Sequence, residues 1–209
     1  MKTFQPSVLA ICVSLVALLP VKADLLPQDD ARFGATSLTL DTRTGLAWLD
    51  LPLTAGLSYQ QVIPSTQPGG AFDGFRYATS QEVLDLYTSA GIPSPGDYPE
   101  SSPVTQSILS LISLVGATSS QDGRPETFGI SGTPNFGGRD KPGFDFFLST
   151  GVPEYAVTAG GQLGNQVGET FGSPLTGSWL VQIPEPSSVL LGTGGALILL
   201  LGFVKRARR

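Results

Sequence analysis

The sequence predicts a single α+β domain, rich in β-strands and with two helices, between two hydrophobic terminal segments. The 209 residues include 26 glycines and 17 prolines, and only 14% of them are charged. This composition is typical of a loop-rich β domain rather than a helical bundle. Short apolar runs between glycines predict the strands, whereas two stretches with a helical hydrophobic period predict the helices.

Charges and reactive side chains are distributed unevenly. Six of the 12 basic residues lie at the two ends, whereas 16 of the 17 acidic residues lie between residues 24 and 183. The net charge of this middle part is therefore near −10. A domain this acidic repels nucleic acid. There is no histidine, and the one cysteine, Cys12, lies in the N-terminal hydrophobic segment. Disulfides, zinc sites built on His or Cys, and Ser-His-Asp or Cys-His catalysis are therefore excluded from the rest of the chain.

The N-terminal segment has the three parts of a secretory signal peptide. Lys2 provides the positive start, residues 8–19 are almost uninterruptedly apolar, and the small residue Ala23 precedes Asp24. We expect residues 1–23 to engage the general secretion machinery and signal peptidase to cut between Ala23 and Asp24. A retained membrane anchor is the alternative, but the apolar run is short because a helix needs about 20 residues to cross a bilayer.

The C-terminal segment, residues 183–209, combines a proline-rich tripeptide, an apolar stretch and a basic end. The tripeptide is Pro184-Glu185-Pro186, the apolar stretch covers residues 189–204, and the basic residues are Lys205, Arg206, Arg208 and Arg209. As a helix, the apolar stretch is about 24 Å long against a bilayer core of about 30 Å, which predicts a short transmembrane helix. Basic residues stay in the cytoplasm and stop transfer, so the preceding domain is predicted to lie outside.

This order of parts resembles the PEP-CTERM sorting signal of Gram-negative bacteria. The resemblance implies that a membrane protease of the exosortase type recognises Pro184-Glu185-Pro186 and removes the tail. The chain would then pass from the cytoplasmic membrane to the cell envelope surface or the extracellular matrix. The resemblance also implies an association with exopolysaccharide and biofilm formation. A simple tail anchor is the alternative for the same residues.

Between the ends, the chain predicts a lead-in followed by one domain. Residues 24–35 are polar and predict a flexible lead-in, so the domain covers residues 36–182. Residues 36–41 alternate apolar and polar side chains, residues 46–51 are apolar on both faces, and a turn-rich segment joins them. This pattern predicts a β-hairpin.

Two helix starts are visible as capping signals. Thr79 and Glu82 form a capping box, and the helix that follows is predicted to end near Gly91. Ser102 and Pro103 suit the N-cap and the first position of a second helix. The apolar stripes are Val83, Leu84, Tyr87 and Ala90 in the first helix and Val104, Ile108, Leu111, Ile112 and Val115 in the second. Four short strands are predicted to close an antiparallel sheet, at residues 126–131, 144–149, 154–158 and 178–182.

Three segments of the domain carry a further pattern: residues 41–50, residues 74–82 and residues 177–181. They resemble, in order, the TGLMW strand, the WRLPT helix start and the closing strand of a DUF1566-like, lectin-like domain common in PEP-CTERM proteins. The chain departs from that pattern with Phe75 in place of tryptophan and Tyr77-Ala78 in place of leucine-proline. The resemblance implies a C-type-lectin-like fold.

Trp48 and Trp179 are the only tryptophans, and both lie in apolar strands. Tryptophan can stack on sugar rings, but in this setting core packing is the expected role. We expect Arg76 to form a structural ion pair with a carboxylate near the capped helix rather than to contact a ligand. Glu82 is explained by capping and needs no catalytic role.

Candidate reactive groups in the second half of the domain fit no established motif. Asp140, Asp145 and Gly137-Gly138 could form a cation loop, but EF-hand spacing is absent and no metal site is predicted. The segment around Ser131 fails the G-x-S-x-G pattern because Thr133 replaces the last glycine. We therefore expect a non-catalytic surface or matrix protein without a cofactor. The alternative is a secreted hydrolase that uses two carboxylates on polysaccharide.

Overall fold

The computed structural model describes residues 24–135, 137–149, 152–158 and 166–183. In chain order the strands are β1 (Leu25–Asp30), β2 (Gly34–Asp41), β3 (Leu46–Leu49), β4 (Phe75–Tyr77), β5 (Gly96–Pro99), β6 (Ser119–Gln121), β7 (Arg124–Ile130), β8 (Pro134–Asn135), β9 (Gly138–Asp140), β10 (Gly143–Ser149), β11 (Val152–Thr158), β12 (Gln166–Val167), β13 (Gly177–Ser178) and β14 (Leu180–Gln182). The helices are α1 (Tyr59–Ser65), α2 (Ser80–Ser89) and α3 (Pro103–Val115), and a 3₁₀-helix, η1, covers Leu51–Thr54. The predicted signal peptide and the predicted tail from Pro184 onward lie outside the described residues.

Sheet 1 contains the first strands of the domain together with its last. Its order is β1-β2-β3-β14-β4, and every neighbouring pair is antiparallel. Val181 of β14 is paired with Trp48 on one side and with Arg76 on the other. The C-terminal strand β14 therefore lies between β3 and β4, which both come from the first half of the domain.

The predicted hairpin is confirmed as β2 and β3, and Asp41 organises its turn. The buried Asp41 carboxylate accepts hydrogen bonds from the Arg43 amide (2.9 Å) and from the hydroxyls of Thr44 (2.9 Å) and Ser89 (2.8 Å). Gly45 follows with φ +74°, a backbone conformation that favours glycine. The bond to Ser89 ties the turn to the end of α2.

β1 differs from the prediction of a flexible lead-in at residues 24–35. Leu25–Asp30 forms the edge strand of sheet 1 and pairs antiparallel with β2. Four of its six side chains are exposed and Leu25 packs against the core, so the strand is held largely by its backbone hydrogen bonds to β2. A hydrophobic pattern could not reveal it for that reason.

Both predicted helices are confirmed, and α1 is an additional short helix. In the capping box of α2, the Thr79 amide donates to Glu82 Oε2 (2.8 Å) and the Glu82 amide donates to Thr79 Oγ1 (3.2 Å). At the start of α3, the Ser102 hydroxyl accepts a hydrogen bond from the amide of Val104 (3.2 Å). The buried residues of α3 include Ile108 and Val115, so its predicted apolar stripe faces the core.

Sheet 2 and sheet 3 contain the remaining strands. Sheet 2 has the order β13-β7-β10-β11-β5 with β6 paired to β7, and sheet 3 contains β12, β9 and β8. The strands predicted at residues 126–131, 144–149 and 154–158 are confirmed as β7, β10 and β11. The strand predicted at residues 178–182 is divided at Trp179, because β13 pairs with sheet 2 and β14 pairs with sheet 1.

The main core lies between sheet 1, sheet 2 and the helices α2 and α3. Trp48 and Trp179 are 1% and 0% exposed, and their rings meet edge to face with centroids 5.8 Å apart. The indole N–H of Trp179 donates to the carbonyl of Pro142 (3.1 Å). The expected core role of both tryptophans is confirmed. A second cluster, which includes Leu38 and Val62, joins sheet 1 to α1.

These elements make the described part of the chain a β-rich α+β domain with three α-helices and open sheets. No helix in this part is both long and apolar enough to cross a membrane. The predicted transmembrane stretch at residues 189–204 lies outside it.

Candidate functional site

Both ends of the described chain leave sheet 1 on the same side. Leu25 at the start of β1 lies opposite Asp41 at the end of β2, and Asp41 lies opposite Leu46 at the start of β3. β14 ends beside the start of β4, where the amide of Ile183 donates to the carbonyl of Gly74 (2.8 Å). Because neighbouring strands alternate in direction, the start of β1 and the end of β14 lie at one edge of the sheet.

We call this surface the terminal edge, and we define it by Asp24, the turn at residues 42–45, Gly74 and Ile183. The strand order places β1 three strand spacings from β14, which is about 14 Å. The amide of Asp24 donates to Thr42 Oγ1 (2.9 Å), and its carbonyl accepts from the Thr42 amide (3.1 Å). The residues that adjoin the two predicted targeting segments are therefore both held by hydrogen bonds of the fold.

A groove of about 340 Å³ opens beside Asp24, between the start of β1, the end of α2 and α3. Leucine side chains contribute its apolar lining, and three serines contribute hydroxyls, namely Ser89, Ser107 and Ser110. Among the described residues that line it, Asp24 is the only titratable one. The lining offers hydroxyls and apolar surface for contact with a small hydroxylated group.

The expected ion pair of Arg76 is confirmed, and its partner is Glu82. Two hydrogen bonds join them, from Nη2 to Oε1 (2.6 Å) and from Nη1 to Oε2 (2.9 Å). Hydrogen bonding to the Arg76 guanidinium lowers the pKa of Glu82, and the same bond raises the pKa of Arg76. Since Glu82 also closes the capping box with Thr79, this pair fixes the start of α2 against β4.

The two aspartates of the candidate cation loop have different partners. Asp140 is buried and accepts hydrogen bonds from Ser80 Oγ (2.7 Å) and Asn135 Nδ2 (2.6 Å). Asp145 interacts instead with Glu126 and Lys141. Within the described ranges, no group of three or more His, Cys, Asp or Glu side chains could hold a metal ion.

Ser131 belongs to the same buried cluster as Asp140. Its Oγ lies 2.9 Å from Ser80 Oγ, and it accepts a hydrogen bond from the Thr133 amide (3.3 Å). Ser131 is 0% exposed. The cluster joins the first residue of α2 to the end of β7 and to β9, and a substrate carbonyl could not reach the serine without opening this junction.

Glu126 and Asp145 are two carboxylates on the neighbouring antiparallel strands β7 and β10. Burial raises the pKa of Asp145, and the negative charge of Glu126 raises it further. Glu126 is 6% exposed, and its two oxygens accept from the Ser119 hydroxyl (2.8 Å) and the Phe146 amide (3.1 Å). Glu126 is thus held in place by hydrogen bonds from β6 and β10, and Asp145 is the member of the pair whose pKa is raised.

Asp50 is a perturbed group that the sequence did not single out. Burial raises its pKa to about 6. Its Oδ1 atom is buried without a hydrogen-bond partner in the part of the chain that the structure describes. The available signal in the sequence was an acidic residue directly after an apolar strand. In the structure, the end of β3 and the start of η1 on either side of Asp50 are both buried.

Comparison of the chain with protein-family models, with curated proteins and with solved structures finds no match in any of the three. The sorting-signal and lectin-like resemblances therefore remain predictions.

Proposed function

We propose that this chain is an exported bacterial surface or extracellular-matrix protein, sorted through a C-terminal PEP-CTERM signal by an exosortase-type protease. The observation that carries the proposal is the order Pro184-Glu185-Pro186, apolar residues 189–204, and a basic end. Signal peptidase would release the N-terminus at Asp24 after export. The domain would then stay at the outer face of the cytoplasmic membrane until the tail is removed.

The physical properties of the tail suit a temporary attachment. Prolines fix φ and lack an amide proton, so the tripeptide stays extended and accessible rather than joining the helix that follows. The apolar stretch is shorter than the bilayer core and is interrupted by glycines, so it can hold an intermediate but is a poor lasting anchor. The basic end stops transfer and sets the height of the tripeptide above the membrane.

The domain boundary supports this proposal. The amide of Ile183 is bonded to Gly74, and Pro184 is the next residue. Removal of a sorting signal that starts at Pro184 would therefore leave every described strand and core residue in place.

We propose that the released domain is non-catalytic and is associated with exopolysaccharide in a biofilm matrix. Because Trp48 and Trp179 are buried in the core, sugar contacts would come from surface hydroxyls such as those of the groove beside Asp24. Binding of the purified domain to a panel of polysaccharides tests this part. If the immobilised domain retains none of these polysaccharides on a column, the proposed association with exopolysaccharide is wrong.

A carboxylate-based hydrolase is the second candidate, favoured by the raised pKa of Asp145 beside Glu126. A general acid needs such a raised pKa, and Glu126 lies within hydrogen-bonding reach of Asp145, which is closer than the separation of about 5–10 Å between the two acids of a glycosidase. A panel of glycosidase substrates separates the candidates. Turnover that Asp145→Asn and Glu126→Gln each abolish would establish the enzyme and overturn the non-catalytic proposal.

Intact-mass spectrometry of the protein from a host with and without the exosortase-type protease tests the sorting proposal. Without the protease we expect a chain that starts at Asp24 and ends at Arg209. With it we expect the same start and loss of the segment that contains Lys205 and Arg206. A chain that keeps its basic end in the protease-bearing host would leave a simple tail anchor as the better explanation.

Two tail variants provide matched controls. In the first, Glu185→Ala is combined with replacement of Pro184 and Pro186, and we expect it to accumulate uncut in the membrane. In the second, residues 189–204 become leucine-rich while the tripeptide is kept, and we expect it to be cut. Equal processing of both variants would contradict recognition of the tripeptide.

A further inference from the structure

We propose that the terminal edge is a docking surface for the protease that removes the tail, contacted while that enzyme holds Pro184-Glu185-Pro186. The inference rests on the proposed function, since it requires a membrane-embedded protein that binds the tripeptide. It adds a second recognition element, made by folded residues rather than by the tail.

The length of the chain keeps the tripeptide close to Ile183 at the terminal edge. Ile183 is fixed by its 2.8 Å hydrogen bond to Gly74, and the tripeptide follows it directly. An extended chain advances at most about 3.6 Å per residue, so the Cα of Pro186 lies within about 11 Å of the Cα of Ile183. A single helix of the enzyme is about 10 Å wide. A protein that encloses the tripeptide is therefore large enough to reach the terminal edge.

The length of the chain also limits the height of the domain above the bilayer. Five residues separate Ile183 from the apolar stretch that starts at Val189. They span at most about 20 Å between those two residues, so the terminal edge stays close to the membrane as long as the tail is attached. Asp24 lies at the same edge, about 14 Å away, so both ends of the domain face the same membrane.

The terminal edge is preorganised by hydrogen bonds. Arg43 is exposed at the turn, and its guanidinium donates to Ser89 Oγ (2.8 Å) and to the carbonyl of Asp85 (2.5 Å). Thr44 is bonded to Asp41 (2.9 Å). A turn held in this way loses little conformational entropy when a partner covers it.

The chemistry of the edge favours a protein over lipid headgroups. It presents threonine hydroxyls, one guanidinium and the side chain of Ile183, which is 49% exposed. Asp24 adds a carboxylate at the same edge, and the carbonyl of Asp73, the residue before Gly74, accepts a hydrogen bond from the Arg32 guanidinium (2.6 Å). The edge thus carries both signs of charge and has no cluster of basic side chains of the kind that binds anionic lipid. A protein surface with a polar rim and a small apolar contact for Ile183 is the complementary partner.

The test uses cleavage of the purified mature chain, residues 24–209, by the protease in detergent micelles. The mature chain has no cysteine, so Thr44→Cys can be labelled alone with a polyethylene glycol maleimide of several kilodaltons. Leu175→Cys is the matched control, because Leu175 is 55% exposed and precedes β13, away from the terminal edge. We expect the label at Thr44→Cys to slow cleavage about tenfold or more, and the label at Leu175→Cys to leave it unchanged.

Each labelled variant is compared with the same variant without the label, so any effect of the substitution itself, including loss of the bond from Thr44 to Asp41, is removed from the comparison. A flexible ten-residue linker between Ile183 and Pro184 distinguishes contact from proximity. We expect the linker to slow cleavage of the unlabelled chain, because the second contact is no longer delivered together with the tripeptide.

The outcomes separate this inference from the proposed function. If the native chain is not cut at all, the proposed function fails and the inference fails with it. If the native chain is cut and the linker variant is cut as fast or faster, the docking surface is refuted while sorting stands. Equal rates for the two labelled variants also refute it. A Thr44→Cys label effect that appears only with anionic lipid vesicles would identify a lipid contact and overturn the protein partner.

Discussion

Replacement of Gly129 by alanine tests the junction between sheet 1 and sheet 2. Gly129 lies in β7 opposite Gly177 of β13. After β13 the chain crosses from sheet 2 to sheet 1, where it forms β14. A Cβ at Gly129 would lie 2.6 Å from Leu51 Cδ2 and 2.6 Å from Trp179 Cδ1. Carbon atoms in ordinary contact are about 3.5–4.0 Å apart. Both neighbouring side chains, or the backbone at Gly129, must therefore shift by about 1 Å.

Trp179 has little room for such a movement. It is 0% exposed, its indole is bonded to Pro142 (3.1 Å), and its ring contacts Trp48 with centroids 5.8 Å apart. Overpacking of a tight core costs about 1–3 kcal/mol. We expect Gly129→Ala to lower the free energy of unfolding by about 2 kcal/mol. For a domain of this size that corresponds to a decrease in Tm of about 4–8 °C.

Urea unfolding and calorimetry of residues 24–183 measure the effect. Gly168→Ala is the matched control, because a Cβ at Gly168 would meet nothing within 4 Å. We expect the control to change the free energy of unfolding by less than about 0.5 kcal/mol. If Gly129→Ala is as stable as Gly168→Ala, the two sheets are not joined as tightly as this reasoning requires.

Two further predictions concern charged groups. Burial raises the pKa of Asp50 to about 6, so the native state holds this proton more tightly than the unfolded chain and stability falls as pH rises from about 4 to 6. Asp50→Asn should remove that loss and stabilise the domain above pH 6 by about 1 kcal/mol, after allowance for partial exposure, with no gain at pH 3 in urea titrations. Arg76 lowers the pKa of Glu82, so the stability from this pair is present above about pH 4.5 and is lost as pH falls through the lowered pKa. Glu82→Ala should therefore cost about 1 kcal/mol at pH 7 and less at pH 2, and an equal cost at both values would contradict an ionic contribution.

Much of the local structure could be predicted because its signals lie close together in the chain. The capping box of Thr79 and Glu82 spans a single helical turn, and Ser102 acts on the helix that begins at the next residue. α1 shows the limit of such signals. Ser58 and Gln61 form a capping box of the same kind, but Pro64 and the seven-residue length hide the helical period.

The perturbed groups of the domain could not be predicted in the same way. Asp145 is affected by Glu126 only because β7 and β10 pair, and that pairing joins distant segments. The raised pKa of Asp50 depends on how deeply the junction of β3 and η1 is buried. Burial of this kind is a property of the assembled sheets and not of the residues around Asp50 in the chain.

The sequence by itself predicted a targeting segment at each end, and it determined the hairpin and the two capped helices. These features depend on covalent order and on contacts between near neighbours, so a short window of residues contains them. Only the tertiary structure decided that β14 lies between β3 and β4, and hence that Asp24 and Ile183 leave the domain at one edge. The physical reason is that strands distant in the chain pair according to the burial of whole sheet faces, which no single segment specifies.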